Sequence, residues 1–203
     1  MLDRNTLIKE INKTIQILFK ESTFYFQQSR NSTNKFIATG NSISSAINKK
    51  KNDKEQVSVI EWFADFWVYS EITFIGVNTF ISISIFQGNE NDKTKHQLFR
   101  AEWDDYNDLG QSHSQPHWHI TSNQVIENTF EKIANMGSES DFVVSLVKEE
   151  TAKIIDVSKM HFAMNGNWMN SETHIHSINS EVKIVKWFQG LLAHIKAELV
   201  SVK

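Results

Sequence analysis

Hydrophobic and polar residues alternate with a period of two through the middle of the chain. In the clearest stretch, Ile81, Ile83 and Ile85 alternate with Ser82 and Ser84. Successive side chains of a β-strand point to opposite faces, so this pattern predicts a strand with one apolar and one polar face. It favours an antiparallel sheet that buries its apolar face against helices.

Four segments show this alternation. They are Val57 to Tyr69, Thr73 to Phe86, Gln97 to Asp105 and Pro116 to Ile120. The links between them are short, and strands that follow each other closely in a chain usually pair with each other. The sequence therefore predicts an antiparallel four-stranded meander.

Both ends of the chain carry the pattern of amphipathic helices. Apolar side chains recur every three or four positions from Leu7 to Phe19 and from Ile184 to Leu199. A further helix is predicted to begin at Thr121, which can cap it. We therefore predict an α+β fold with an N-terminal helix, the four-stranded meander, and C-terminal helices packed on one sheet face.

The segment 28–56 is dominated by Ser, Asn, Lys and Gln. We interpret it as a polar loop or connector, and loops of this length are unusual in compact domains and are either mobile or functional. The 203 residues fit one domain, so we predict a single domain over residues 1–203.

The polar face of the predicted meander carries most of the chemically reactive side chains. They are Ser82, Ser84, Arg100, Glu102, Asp104, His117 and His119. One residue separates His117 from His119, so on a strand both imidazoles lie on one face and can reach the same metal ion. The pair also fits half-buried histidines that only form hydrogen bonds beside Trp118.

A second histidine pair extends the predicted metal site. His174 and His176 are also separated by one residue, in the segment before the last helix. Two imidazole pairs and a carboxylate suit a divalent transition metal such as Zn or Mn. The predicted metal ligands are His117, His119, His174 and His176. The residues predicted to take part in catalysis are His117, His119, Glu102 and Asp104.

A short motif connects this site to phosphate chemistry. His119-Ile-Thr121 resembles the His-x-Thr element of two-histidine phosphoesterases, in which two such elements flank a phosphodiester and each His acts as acid or base. A second copy is missing, because His174 is followed two residues later by His176. We interpret the protein as a metal-dependent hydrolase that acts on phosphate esters.

A competing interpretation assigns the chain to a non-enzymatic accessory or interaction subunit of a larger complex. Trp62, Phe63 and Trp67 form a dense aromatic block, and Trp168 follows an Asn-Gly turn. Such an aromatic block usually belongs to the core, but if these side chains are exposed, they would bind a protein partner or a second copy of the chain. The sequence contains no complete catalytic motif, which leaves this alternative open.

Composition excludes several other functions. The chain has no cysteine, which excludes disulfides, thiolate metal sites and a cysteine nucleophile. Its net charge of −3 gives no indication of binding to nucleic acid or to an anionic membrane. We see no signal peptide and no apolar segment of the roughly 20 residues that a membrane span needs, so we predict a cytoplasmic protein.

Overall fold

The computed structural model describes residues 2–18, 23–50, 53–92, 95–104, 115–121, 162–163, 178 and 180–201. Within these ranges, two helices accompany one sheet of nine strands, the last of which is only two residues long. In chain order the elements are α1 (Arg4–Leu18), β1 (Phe24–Ser29), β2 (Ser32–Gly40), β3 (Ile43–Lys50), β4 (Asp53–Phe63), β5 (Phe66–Ile75), β6 (Asn78–Gln87), β7 (His96–Asp104), β8 (His117–Ile120), β9 (Phe162–Ala163) and α2 (Glu181–Ser201).

All the strand pairs are antiparallel. The main order is β1–β2–β5–β6–β7–β8–β9, while β4 pairs with β5 and carries β3 on its other side. The first half of β5 pairs with β4, and its second half pairs with β2. The predicted α+β class is confirmed, but a four-stranded meander understates the sheet.

Two of the predicted strands are in fact hairpins. The segment Val57 to Tyr69 turns at Ala64, and the segment Thr73 to Phe86 turns at Gly76. The backbone at these turns is left-handed, with φ of 51° at Ala64 and 62° at Gly76. Tight hairpin turns commonly require this conformation, which glycine adopts without steric cost.

The polar segment 28–56 is not a loop. It contains the end of β1, all of β2 and β3, and the start of β4, and Ile43–Lys50 pairs along its whole length with Asp53–Ile60. The prediction was wrong because most positions of β2 and β3 are exposed or only half-buried, and strands accept polar side chains at such positions. In β2, for example, only Ala38 is buried.

Both described helices pack on one face of the sheet, as predicted for the N-terminal and last helices. One apolar cluster joins them to the central strands. It includes Leu7, Ile11 and Ile15 of α1, Ile184, Phe188 and Leu192 of α2, and Ile81, Ile83, Ile85, Ala101 and Trp103 of β6 and β7. The helix predicted from Thr121 lies outside the described residues. Among the helices that the structure describes, none has the length and hydropathy of a membrane span.

The opposite face of the sheet is covered as well. The β3–β4 hairpin folds onto it and forms a second, smaller apolar cluster with the sheet, made of Ala46, Val57 and Val59 with Trp67, Tyr69 and Phe86. Ser82 and Ser84, on this face of β6, are fully buried. The polar face predicted from the sequence is therefore an interior layer between the sheet and the hairpin.

Candidate metal centre

The register of the strands places the polar residues in two cross-strand rows. One row contains Glu71, Ser82, Glu102 and His117, and the neighbouring row contains Tyr69, Ser84, Arg100 and His119. Directly paired residues on one face have Cβ atoms about 5 Å apart. The rows therefore bring the predicted histidine pair and a carboxylate together on one face.

Glu102, His117 and His119 point one ligand atom each at a common position. The Nε2 atoms of His117 and His119 are 2.8 Å apart, and Oε2 of Glu102 lies 2.9 Å from Nε2 of His119 and 3.5 Å from Nε2 of His117. The site is nearly dry, since the side chains of His117, His119 and Glu102 are 1%, 5% and 12% exposed. We call these three residues the triad.

Hydrogen bonds alone cannot satisfy all three contacts between these atoms. Each Nε2 has one in-plane position, which holds either a proton or a lone pair, and an ionised carboxylate only accepts. If Nε2 of His119 donates its proton to Glu102, it has no lone pair left for His117. If both Nε2 atoms carry protons for Glu102, two donors face each other at 2.8 Å, so every arrangement of protons leaves at least one of the three contacts between two donors or two acceptors.

A metal ion fits the same triangle. Imidazole nitrogen and carboxylate oxygen bind zinc at about 2.0–2.2 Å, so two ligands of one ion lie about 2.9–3.5 Å apart for octahedral to tetrahedral angles. The three distances in the triad cover nearly that interval. Each residue thus offers one lone pair to one central cation.

Arg100 holds the carboxylate of Glu102 in place. Its Nε atom lies 2.7 Å from Oε1 of Glu102, and its Nη2 atom donates a hydrogen bond to Oε2 of the same carboxylate at 3.4 Å. Its Nη1 atom donates to the carbonyl of Lys49 on β3. Arg100 therefore contacts both oxygens of Glu102, most closely Oε1, and fixes the carboxylate with Oε2 near the two histidines, as outer partners do in metal sites.

The environment keeps Glu102 ionised. Burial by itself raises the pKa of this carboxyl, but hydrogen bonds with His117 and His119 and the charge of Arg100 outweigh burial and hold the pKa well below its usual range. The ionised carboxylate is the form that binds a metal.

The other predicted site residues are placed differently. Asp104 lies on the same strand as Glu102, but its Oδ2 accepts a hydrogen bond from Nε2 of Gln115 at 2.7 Å and it is not part of the triad. The second histidine pair, His174 and His176, and the predicted contact residue Trp168 lie outside the described residues.

The aromatic block predicted as an interaction surface is largely interior. Trp62 and Trp67 are 6% and 2% exposed, and Trp67 donates its indole N–H to the carbonyl of Gly88 at 2.8 Å. Phe63 is half-buried, with the ammonium of Lys196 5.3 Å from its ring centre. Burial corrects the expectation for the two tryptophans, because a buried indole presents no surface to a partner.

Sequence analysis missed the charged group that continues the polar layer. Glu71 on β5 pairs with Lys35 of β2 and, at 2.8 Å, with Lys50 of β3, and it accepts a hydrogen bond from Tyr69 at 2.6 Å. Burial raises the pKa of Glu71, but these three partners outweigh it and lower the pKa overall. Lys35 and Lys50 were missed because both fall in the segment that was interpreted as a loop.

Comparison of the chain with protein-family models, with curated proteins and with solved structures gives no match. The function must therefore be inferred from the site itself.

Proposed function

We propose that Glu102, His117 and His119 bind one divalent transition metal ion, and that the protein uses it to hydrolyse phosphate esters. The convergence of three ligand atoms on one position, at mutual distances of 2.8–3.5 Å, supports this proposal. Structural ion pairs also shift pKa values, but they rarely bring two imidazoles and a carboxylate to a single point.

The three ligand atoms, two imidazole nitrogens and one carboxylate oxygen, suit zinc or manganese. Neutral imidazole and carboxylate are borderline and hard ligands, which excludes a preference for soft metals such as Cu(I). The three ligands in the described part of the chain would leave at least one coordination position for water or substrate, which is the arrangement of catalytic sites rather than of closed structural sites.

The proposed reaction is hydrolysis of a phosphate ester. The oxygen of water forms a bond to phosphorus, the bond between phosphorus and the ester oxygen breaks, and one proton of the water ends on the released alcohol. A bound metal would acidify that water and offset charge on the phosphoryl oxygens. The triad would fix the ion, and Arg100 would keep Glu102 in the orientation that directs Oε2 at it.

Metal content measured by mass spectrometry on untagged protein tests the binding step. We expect about one Zn or Mn per chain in the wild type and none in the His117→Ala/His119→Ala double variant. His194→Ala is the matched control, because His194 is on α2 with 66% of its side chain exposed, and it should keep the metal. A wild type without affinity for Zn or Mn contradicts the proposal.

The catalytic step needs a separate assay. We expect the metal-loaded protein to hydrolyse members of a panel of phosphate monoesters and diesters, and to lose that activity when a chelator removes the ion. A metal-loaded protein that cleaves none of them, but purifies with a stoichiometric protein partner, would favour the non-enzymatic alternative.

A further inference from the structure

Besides Nε of Arg100, which is ion-paired with Glu102, two buried polar groups on the same face as the triad have no hydrogen-bond partner in the described part of the chain. They are the hydroxyl of Ser82 and the side-chain NH₂ of Asn48, and both residues are fully buried. A buried donor without an acceptor costs roughly 1–3 kcal/mol, so native proteins rarely leave one without a function or a bound molecule.

Ser82 is positioned next to the triad by the register of the sheet. It pairs directly with Glu102 on β7, and Glu102 in turn pairs with His117 on β8. Adjacent members of such a row are about 5 Å apart at Cβ. The hydroxyl of Ser82 therefore enters the same interior layer, one strand away from the ligand Glu102.

The orientation of the Asn48 amide follows from its neighbours. The backbone N–H of Lys49 donates to Gln97 at 2.7 Å, which identifies the accepting atom as Oε1 and leaves Nε2 of Gln97 as a donor. That Nε2 and the hydroxyl of Ser84 both contact Oδ1 of Asn48, at 3.1 and 2.9 Å. The Nδ2 atom of Asn48 is thereby left as a free donor in the polar layer.

The charges around the triad favour an anion. The histidines bind a metal in their neutral form, and the single charge of Glu102 is already offset by Arg100, which is 2.7 Å away. The next acid on the strand, Asp104, is half-buried and bonded to Gln115. A divalent ion would therefore bring about two positive charges into a nearly dry site without a matching counter-charge from the triad.

We propose that the metal centre binds the dianionic phosphate group of a monoester, with the hydroxyl of Ser82 and the amide of Asn48 donating hydrogen bonds to its oxygens. This inference rests on the proposed metal site and narrows its substrate class. A phosphate monoester carries nearly two negative charges at neutral pH, which matches the excess charge, whereas a diester carries one. Both unpartnered groups are donors, and phosphate oxygens accept.

Calorimetric titration of zinc-loaded protein with inorganic phosphate tests the inference, with dimethyl phosphate as the singly charged comparison. We expect phosphate to bind at least about tenfold more tightly than dimethyl phosphate. Ser82→Ala should weaken phosphate binding by about tenfold or more, as expected for a lost hydrogen bond to a charged group, while zinc content stays at the wild-type level.

Two further variants distinguish a specific loss of phosphate binding from a general loss of folding. Asn48→Asp keeps the accepting Oδ1 but replaces the free donor with a negative oxygen, so phosphate binding should be lost. Ser70→Ala is the matched control, because Ser70 is equally buried but lies on the helix side of the sheet, where its hydroxyl donates to the carbonyl of Ser82 at 2.7 Å. It should leave phosphate affinity within twofold of the wild type.

The outcomes separate this inference from the proposed function. If the wild type binds no zinc, the metal site itself is wrong. If zinc binds but phosphate does not, or if Ser82→Ala and Asn48→Asp both bind phosphate like the wild type, the phosphate subsite is wrong and the metal site stands. Equal affinity for phosphate and dimethyl phosphate would overturn the choice of a monoester.

Discussion

Replacing Glu102 by Gln should lower both the free energy of unfolding and the affinity for metal, and the two effects can be measured separately. The variant keeps the shape of the side chain but removes its charge, so Arg100 loses its ion pair while its own side chain is only 4% exposed. Breaking a buried pair costs about 3–5 kcal/mol. The Lys49 carbonyl still accepts from Arg100, and Glu102 is 12% exposed, so we expect the low end, about 3 kcal/mol, without metal.

The same change should remove most of the metal affinity. Loss of an outer partner typically costs 10–100-fold in affinity, and loss of a charged ligand should cost at least about 100-fold. Zinc present at 100 times the dissociation constant stabilises a protein by about 2.7 kcal/mol. After a 100-fold loss of affinity, the same zinc concentration would add only about 0.4 kcal/mol.

Urea unfolding with and without zinc measures both effects. A loss of about 3 kcal/mol lowers the urea midpoint of the metal-free protein by about 1–2 M for ordinary slopes. Asp104→Asn is the control, since an amide oxygen can still accept from Gln115, and we expect a change below about 1 kcal/mol with an unchanged zinc effect. A Glu102→Gln protein with wild-type zinc stabilisation would refute the assignment of the ligand.

Three further predictions test the fold. The pKa of Glu71 is lowered in the folded protein, so its contribution to stability is complete above the unfolded pKa of about 4.3 and is lost as pH falls through the folded pKa. Urea midpoints should therefore drop as pH falls below about 4.3, and they should drop less in Glu71→Gln. Ala64→Gly should raise the free energy of unfolding by about 1 kcal/mol, because Ala64 has φ of 51°; a lower midpoint contradicts that backbone conformation. Ile83→Ala should cost about 2–5 kcal/mol by chemical denaturation, whereas Val77→Ala, at a 74% exposed turn, should stay within about 0.5 kcal/mol; equal effects would contradict the assigned core.

The pairing of polar residues on one face was predictable from the sequence because alternation carries that information directly. Glu102 and Arg100 alternate with apolar residues on β7, and His117 and His119 flank Trp118 on β8. Once these two strands pair in an antiparallel register, the four side chains must share a face. The candidate triad needs no long-range information beyond that pairing.

The two hairpin turns were harder to predict from the sequence, each for a different reason. The turn at Ala64 leaves even-numbered residues facing the helices on both sides, as Ile60 and Val68 do, so the alternation continues as if one strand were present. The two-residue turn after Ile75 reverses the parity, since Ile72 pairs with Ile81 across it. The change of the apolar positions from even to odd residue numbers, together with Gly76, indicates the second turn.

The role of the polar segment could not be read from composition, because its burial depends on a partner that is distant in sequence. Asn48 is fully buried only because the end of β3 lies against Ser84 and Gln97, 36 and 49 positions further along the chain. Local alternation predicts which side chains share a face of a strand. It does not predict which distant segment packs on that face, because tertiary contacts determine that.

The same packing links the β3–β4 hairpin to the proposed chemistry. The carbonyl of Lys49 accepts from Arg100, Arg100 orients Glu102, and Glu102 is the carboxylate of the triad. Asn48, the preceding residue of β3, contributes one of the two free donors. A strand whose composition resembles a solvated connector thus positions both the proposed metal ligand and the proposed phosphate contact. Changes of the Asn48 side chain should therefore act on binding as well as on stability, whereas side-chain changes at Lys49 keep the backbone carbonyl that Arg100 contacts.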